Sequence, residues 1–179
     1  MRMRSVLTAA CLAIGTLAGA SAAQAVTYNL SADYSDIANP TGTWSYFYNS
    51  ALLPHVAAPG TPNALNTAIS SSGYFSTGND LNSNSPDLFK AQVNGSAVTG
   101  YNDGDFLAGD VVIHSPNDAT HPLTIVWTAP TAGTISSFST SVWYAHSPIT
   151  RANDVTLSQT ISSFTTQLAA WTISSIDHQ

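Results

Sequence analysis

The sequence contains no glutamate, and its only cysteine, Cys11, lies close to the N-terminus. Lysine and arginine together number four against ten aspartates, which gives a formal net charge of −6 with histidine neutral. A chain this acidic repels nucleic acid and anionic lipid, so neither is expected as a partner. The shortage of cysteine excludes a disulfide framework and a thiolate metal site from the rest of the chain.

The apolar run at the N-terminus has the form of a signal peptide. Arg2 and Arg4 precede Val6–Ala20, an apolar stretch of small residues that is too short to span a bilayer. Ala23-Gln24-Ala25 then has the small-x-small pattern of a cleavage site. We predict a signal peptide over residues 1–25 and an exported protein that is periplasmic, cell-surface or extracellular. A retained N-terminal helix is the alternative.

Export changes the composition of the mature chain. Removing 25 residues from 179 leaves 154, with two basic side chains, ten acidic ones and a net charge of −8. That length suits a single domain, over 26–179, with a sizeable core. We expect no transmembrane anchor once the signal has been removed, because no long apolar segment follows it.

The strongest strand pattern in the mature chain is Leu123–Trp127, where β-branched and aromatic residues alternate between two faces. Pro130 ends this strand because proline cannot donate to a sheet ladder, and Gly133 suits a turn. A second strand over Thr134–Trp143 then predicts a hairpin of two long strands at the centre of an all-β domain.

Other short alternating stretches support the all-β prediction. Asn94-Gly95 is a favoured two-residue hairpin turn and predicts that Leu88–Val93 pairs with Ala97–Tyr101. Prolines and glycines break the pattern over much of Asn49–Asp87. The remaining predicted strands are Val26–Leu30, Thr43–Tyr48, Gly73–Phe75, Val111–His114, Asp154–Gln159 and Phe164–Ile173, with a helical turn at Ala169–Trp171 as the alternative in the last.

Aromatic side chains offer candidate carbohydrate-binding platforms. Trp44 and Tyr46 share one face of their predicted strand, and Tyr144 and His146 close the second strand of the predicted hairpin. Burial in the core is the commoner fate of such rings and is the alternative for Trp44 and Tyr46.

A cluster of oxygen ligands is the candidate metal site. Asn102, Asp103, Asp105 and Asp110 lie within nine positions and could hold Ca²⁺. The alternative is a solvated turn, in which Asn, Asp and Gly are expected anyway. His114 and His121 flank a loop, but a zinc site needs further ligands, which favours a simple surface pair.

Catalytic motifs are weak, so we expect a protein that is not an enzyme. No GxSxG nucleophile elbow is present, and nothing flanking Asp103 and Asp105 would raise the pKa of a general acid. A hydrolase that uses aspartate in the Asn102–Asp110 loop, or an aspartate-bound metal, remains the alternative.

Three separated motifs resemble one family. They are Asn39–Tyr46 (NPTGTWSY), Val112–Pro116 (VIHSP) and Val126–Thr134 (VWTAPTAGT), followed by Asp154-Val155. Together they resemble the secreted β-sandwich proteins of Gram-negative bacteria and planctomycetes, many of which carry a PEP-CTERM sorting tail and show NPxGxWSYG and WTAPxAGTY motifs. The resemblance covers most of Tyr28–Gln159.

The resemblance implies an antiparallel β-sandwich like the jelly-roll carbohydrate-binding modules, at the cell surface or in the extracellular matrix. The chain departs from the family near Gln179, where further strands and a Pro-Glu-Pro tail are usual, and it has no glutamate with which to form that tail. We therefore expect an incomplete C-terminal sheet edge. The expected function is non-catalytic binding of exopolysaccharide, with a polysaccharide hydrolase or a purely structural surface protein as alternatives.

Overall fold

A computed structural model describes residues 25–57, 64–78, 85–98, 104–114, 120–145 and 152–174. Across these ranges the chain forms three antiparallel sheets and one short helix, α1 (Leu30–Asp33). The strands are β1 (Trp44–Tyr48), β2 (Ala51–Leu52), β3 (His55–Val56), β4 (Tyr74–Ser76), β5 (Asp87–Lys90), β6 (Val111–His114), β7 (Leu123–Trp127), β8 (Ala152–Ile161) and β9 (Phe164–Ser174). The prediction of an all-β, sandwich-like fold is confirmed, and the jelly-roll connectivity stays a prediction.

The N-terminal signal peptide also stays a prediction, because residues 1–24 lie outside the described ranges. Within those ranges, no helix has the length and apolar character needed to cross a membrane.

Sheet A has the strand order β2-β1-β7. β1 and β2 are joined by the two-residue turn Asn49-Ser50, with φ of 47° and 64°, as a type I′ hairpin requires. On the other side, β1 pairs antiparallel with β7, which places Trp44 opposite Trp127. Directly opposed residues share a face, so these two tryptophans lie side by side at one end of the sheet.

Sheet B has the order β3-β4-β5-β6 and is covered on both of its faces. Alternation along β4 and β5 sends Phe75 and Leu88 to one face and Tyr74 and Phe89 to the other. All four side chains are almost completely buried. Burial on both faces explains why the middle of β5 is the adjacent apolar pair Leu88-Phe89 and does not alternate with polar residues.

Aromatic packing joins sheet B to sheet A. Tyr46 of β1 lies with its ring centroid 5.4 Å from that of Phe75 and 5.5 Å from that of Tyr34. Leu53 and Leu88 complete this first core. Its rings meet in tilted, offset arrangements that aromatic pairs prefer.

A second core covers the opposite face of sheet B. There Tyr74 and Phe89 pack against irregular segments that contribute Leu65, Val98 and Phe106. The segments include a 3-10 turn at Ala64–Ala68. The long connection between the sheets is therefore part of the packing.

Asn39 acts as a side-chain clamp on β1. Its Oδ1 accepts from the backbone N–H of Tyr46 at 2.9 Å, and its Nδ2 donates to the carbonyl oxygens of Tyr46 and Leu53 at 2.8 and 2.9 Å. The amide thus satisfies backbone groups much as a neighbouring strand would. This gives a physical reason for an asparagine at the start of the Asn39–Tyr46 motif.

β8 and β9 form a separate two-stranded ribbon. Its turn, Ser162-Ser163, has φ of 48° and 73° at its two residues. Ile173 near the base is buried, whereas Ile161 and Phe164, paired beside the turn, are exposed. The ribbon confirms the strands predicted at Asp154–Gln159 and Phe164–Ile173, and the helical turn considered at Ala169–Trp171 is wrong because that segment lies in β9.

The predicted central hairpin is wrong. Leu123–Trp127 is a strand, but its partner is β1, and residues 128–144 contain no strand. Pairing with β1 places Ile125 beside the buried Tyr46. Thr134–Trp143 is rich in serine and offers less apolar surface to bury, so it gains less from pairing.

Two further local predictions are wrong. β5 already has β4 and β6 on its two edges, so Asn94-Gly95 does not open a hairpin; Gly95–Ala97 is a 3-10 turn instead. A Cβ on Gly95 would overlap the Gly104 backbone, so this glycine permits two backbone segments of the chain to approach closely. Val26–Leu30 forms no strand, because Asn29 caps α1.

We predict that Asn39→Asp lowers the free energy of unfolding by about 2–4 kcal/mol, because it replaces the donor to two carbonyl groups with a repelling oxygen. Asn29→Asp is the matched control, since aspartate also caps helices. Urea denaturation monitored by tryptophan fluorescence measures both. Equal stability of the two variants would show that the Asn39 clamp contributes little.

The buried hydroxyl groups of Tyr46 and Tyr34 lead us to predict that the protein loses stability at alkaline pH. Burial raises the pKa of both phenols, with smaller contributions from neighbouring groups. The unfolded chain loses these protons near pH 10 and the folded chain does not, so stability should be present below about pH 10 and fall above it.

The two tyrosines should respond differently to phenylalanine. The Tyr46 hydroxyl is buried without a hydrogen-bond partner in the part of the chain that the structure describes, whereas that of Tyr34 donates to the Leu88 carbonyl oxygen at 3.1 Å. Tyr46→Phe should therefore keep or raise stability at neutral pH and move alkaline unfolding upward, while Tyr34→Phe should cost about 1 kcal/mol at neutral pH. Circular dichroism against pH tests this; a marked neutral-pH loss in Tyr46→Phe would contradict it.

Candidate functional site

The candidate site is the aromatic end of sheet A, which comprises Tyr28, Asp33, Trp44 and Trp127. The register of β1 and β7 brings the two tryptophans together. Both are half-buried, and Trp44 packs against the first core. The Trp44 ring is therefore supported by the first core, and both rings keep part of their surface accessible.

Tyr28 extends the aromatic surface beyond the strands. Its ring centroid lies 5.2 Å from that of Trp127, with an interplanar angle of 56°. The indole Nε1 of Trp127 is buried and has no hydrogen-bond partner among the described residues. The end of the sheet thus carries three adjacent aromatic side chains from separate segments.

Asp33 supplies a fixed carboxylate beside these rings. Its Oδ2 accepts from the Trp44 Nε1 at 3.1 Å and from the Asn29 backbone N–H at 3.0 Å. α1 positions the carboxylate, since Asp33 is the last residue of that helix and Asn29 is its cap. The two bonds fix the orientation of the Trp44 indole and leave Oδ1 facing no donor from the described residues.

Of the predicted aromatic platforms, only Trp44 lies in this arrangement. The ring of Tyr46 is fully buried between the two sheets, so it cannot present a face to a ligand, and that candidate is corrected to a core residue. Its position follows from register, because Ile125 opposite it also faces the first core.

Tyr144 and His146 are not brought to the aromatic end by any described contact. Tyr144 is half-buried and follows Trp143, whose Nε1 donates to the Asp105 carbonyl oxygen. Ala145 accepts from the Asp105 backbone N–H at 2.9 Å, which ties this segment to the body of the protein. His146 lies outside the described residues.

The predicted calcium ligands are only partly described, since Asn102 and Asp103 fall outside the described ranges. Asp105 is exposed, and Asp110 caps its own turn: its Oδ2 accepts from the Leu107 backbone N–H at 2.7 Å. In the part of the chain that the structure describes, no three His, Cys, Asp or Glu side chains form a group suited to a metal ion.

Sequence reasoning missed Tyr28, Asp33 and Trp127. Alternation indicates only that Trp127 lies in the strand Leu123–Trp127 and Tyr28 in the predicted strand Val26–Leu30, and neither pattern indicates a site. The pattern of Asn29, Leu30 and Asp33 around a short helix was the available signal. The facing of Trp44 and Trp127 depends on long-range register, which local alternation does not reveal.

Comparisons of the chain with protein-family models, with curated proteins and with solved structures find no match. What the aromatic end can bind therefore rests on the chemistry of its own residues.

We predict that calcium does not stabilise the turn at Asp110, because one oxygen of this carboxylate is already committed to the Leu107 amide. Melting midpoints of the chelator-stripped protein in EDTA, in millimolar calcium and in matched magnesium should be equal. Asp110→Ala should cost about 1 kcal/mol through the lost turn bond, and Asp105→Ala, at an exposed position, should cost less. A midpoint raised by calcium alone and lost in Asp110→Ala would overturn this.

Proposed function

We propose that the protein is an exported, non-catalytic β-sandwich that binds neutral polysaccharide at the aromatic end of sheet A. The observation that carries the proposal is the pairing of two partly accessible tryptophans, Trp44 and Trp127, beside the fixed carboxylate of Asp33. Binding sites commonly combine an apolar, aromatic lining with a few well-placed polar groups.

The chemistry of these groups suits a sugar. A pyranose ring has an apolar C–H face that packs on an aromatic ring, and hydroxyl groups around its edge that donate to a carboxylate. Trp44 is held by Asp33, so little side-chain entropy is lost when a ligand packs on it. Oδ1 of Asp33 is the acceptor for a sugar hydroxyl.

Charge selects the kind of polysaccharide. The mature chain carries a net charge of −8, and Asp33 itself lies at the site. Anionic polymers would be repelled, as nucleic acid would be. The ligand class is therefore a neutral glycan rather than a uronic-acid polymer.

Export supports an extracellular ligand. The signal-like residues 1–25 and the resemblance of Asn39–Tyr46 and Val126–Thr134 to secreted β-sandwich proteins both favour a role in the periplasm, at the cell surface or in the matrix. An antiparallel sandwich also provides the rigid scaffold on which Tyr28 and Asp33, which lie outside the strands, are held.

Affinity electrophoresis tests the proposal. Gels containing β-glucan, xylan or galactomannan should retard the wild-type protein, and a gel containing alginate should not. Trp44→Ala should abolish the retardation, and Asp33→Ala should weaken it at least tenfold, which corresponds to about 1.4 kcal/mol. Trp171→Ala, on the ribbon, is the matched tryptophan control and should leave it unchanged.

Unretarded wild-type protein on all three neutral gels, or equal retardation of wild type and Trp44→Ala, would contradict binding at this end. Release of reducing sugar that disappears in Asp105→Asn would instead identify a hydrolase. Circular dichroism of Trp44→Ala must match that of the wild type, so that lost binding is not confused with lost folding.

A further inference from the structure

A row of three polar residues crosses one end of sheet B. Ser76 of β4, Asp87 of β5 and His114 of β6 are register partners, so their side chains lie on the same face. That face also carries Phe89, two residues along β5 from Asp87. The row therefore borders the second core.

Asp87 is the anomalous member of this row. The residue is fully buried, and neither carboxylate oxygen has a hydrogen-bond partner among the described residues. The Oγ of Ser76, its register partner on β4, accepts from the Gly78 backbone N–H at 3.0 Å. A buried carboxylate without donors is strongly disfavoured, and such a group calls for a bound ion, a water or a functional explanation.

His114 lies beside Asp87 but does not satisfy it by a hydrogen bond. Its Nδ1 is 3.4 Å from Oδ2 of Asp87 and 3.1 Å from the carbonyl oxygen of Ser85. An Nδ1–H points in one direction, and the carbonyl oxygen is the nearer acceptor. Protonation of the imidazole alone therefore leaves the carboxylate without a directed donor.

These distances suit ligands of one metal ion. In tetrahedral coordination with metal–ligand bonds of about 2.0–2.1 Å, neighbouring ligand atoms are separated by about 3.3–3.4 Å. Nδ1 of His114 stands at 3.4 Å from the Asp87 oxygen and 3.1 Å from the Ser85 oxygen. One carboxylate oxygen and one carbonyl oxygen thus lie near the same imidazole nitrogen, at distances close to those between ligands of one ion.

We propose that Asp87, His114 and the carbonyl oxygen of Ser85 bind a first-row divalent cation of the zinc class. An imidazole ligand favours such an ion over calcium or magnesium, which prefer oxygen alone. Water completes the coordination, and the half-exposed His114 side chain, at 33% of its full area, gives access. The ion would join β5 to β6 and balance the buried carboxylate.

This site is independent of the aromatic end. It lies on the face of sheet B that carries the second core, whereas Trp44 and Trp127 belong to sheet A. The inference therefore stands or fails separately from polysaccharide binding. The proposal pairs His114 with Asp87 and not with His121. The Nδ1 of His121 lies 3.0 Å from the Thr120 hydroxyl.

Thermal unfolding of the purified, chelator-stripped protein in a ZnCl₂ titration tests the proposal. Binding to the native state alone should raise the melting temperature by roughly 5 °C or more at a hundredfold excess of zinc over its dissociation constant. Magnesium and calcium at equal concentration should leave it unchanged. Titration calorimetry should give one zinc ion per chain.

Asp87→Asn and His114→Ala should each abolish the zinc-dependent shift, and His121→Ala should keep it. Asp87→Asn is nearly isosteric, so it also guards against loss of the signal through misfolding. The absorption spectrum of the Co²⁺-loaded protein should show visible bands typical of four-coordination in wild type and none in Asp87→Asn. No zinc shift in wild type, or a shift that survives in Asp87→Asn, would overturn the proposal.

Discussion

The structure depends on the burial of sheet B from both sides. Its central strand, β5, is only four residues long, and a strand this short gains little from its ladder alone. Leu88 instead packs toward sheet A and Phe89 toward the irregular segments, so neighbouring residues hold the two cores together. Removal of the Leu88 side chain would leave a cavity in the first core, and removal of the Phe89 side chain would leave one in the second.

Double-sided burial also explains the behaviour of Asp87. On a sheet with one solvated face, alternation would offer a polar residue at this position a wet environment. Here neither face is wet at β5, so the carboxylate is buried beside His114. The same constraint that stabilises the sheet thus produces the buried carboxylate on which the proposed cation site rests.

Sheet A differs from sheet B because it offers accessible aromatic side chains at one end. Its inner face contributes Tyr46 to the first core, while Trp44 and Trp127 lie at the end of the sheet, where the core stops. A ring packed on a rigid core and held by the Asp33 carboxylate has little freedom left to lose on binding. Rigidity of the first core and accessibility of the aromatic end are therefore linked.

Several strands were readable from the sequence, although Val26–Leu30 and Thr134–Trp143 form none, and strand partners were not readable. β1, β6, β8 and β9 follow from alternation and β-branched residues, because these signals are local. The pairing of β7 with β1 depends on which distant strand buries more apolar area, which no local pattern records. Turn signals were misleading for a related reason. Gly95 allows close approach to the Gly104 backbone and does not form a hairpin turn. The two-residue turns that the structure does show, Asn49-Ser50 and Ser162-Ser163, contain no glycine.

Native-state hydrogen exchange tests the central role of sheet B most directly. A backbone amide exchanges its hydrogen most slowly where its exposure requires the whole core to unfold. Backbone amides of β4 and β5 should exchange slowest, and those of residues 131–141, which are exposed throughout, should exchange fastest, with the ribbon between them. Amides of the ribbon or of residues 131–141 protected as strongly as those of β5 would contradict this account.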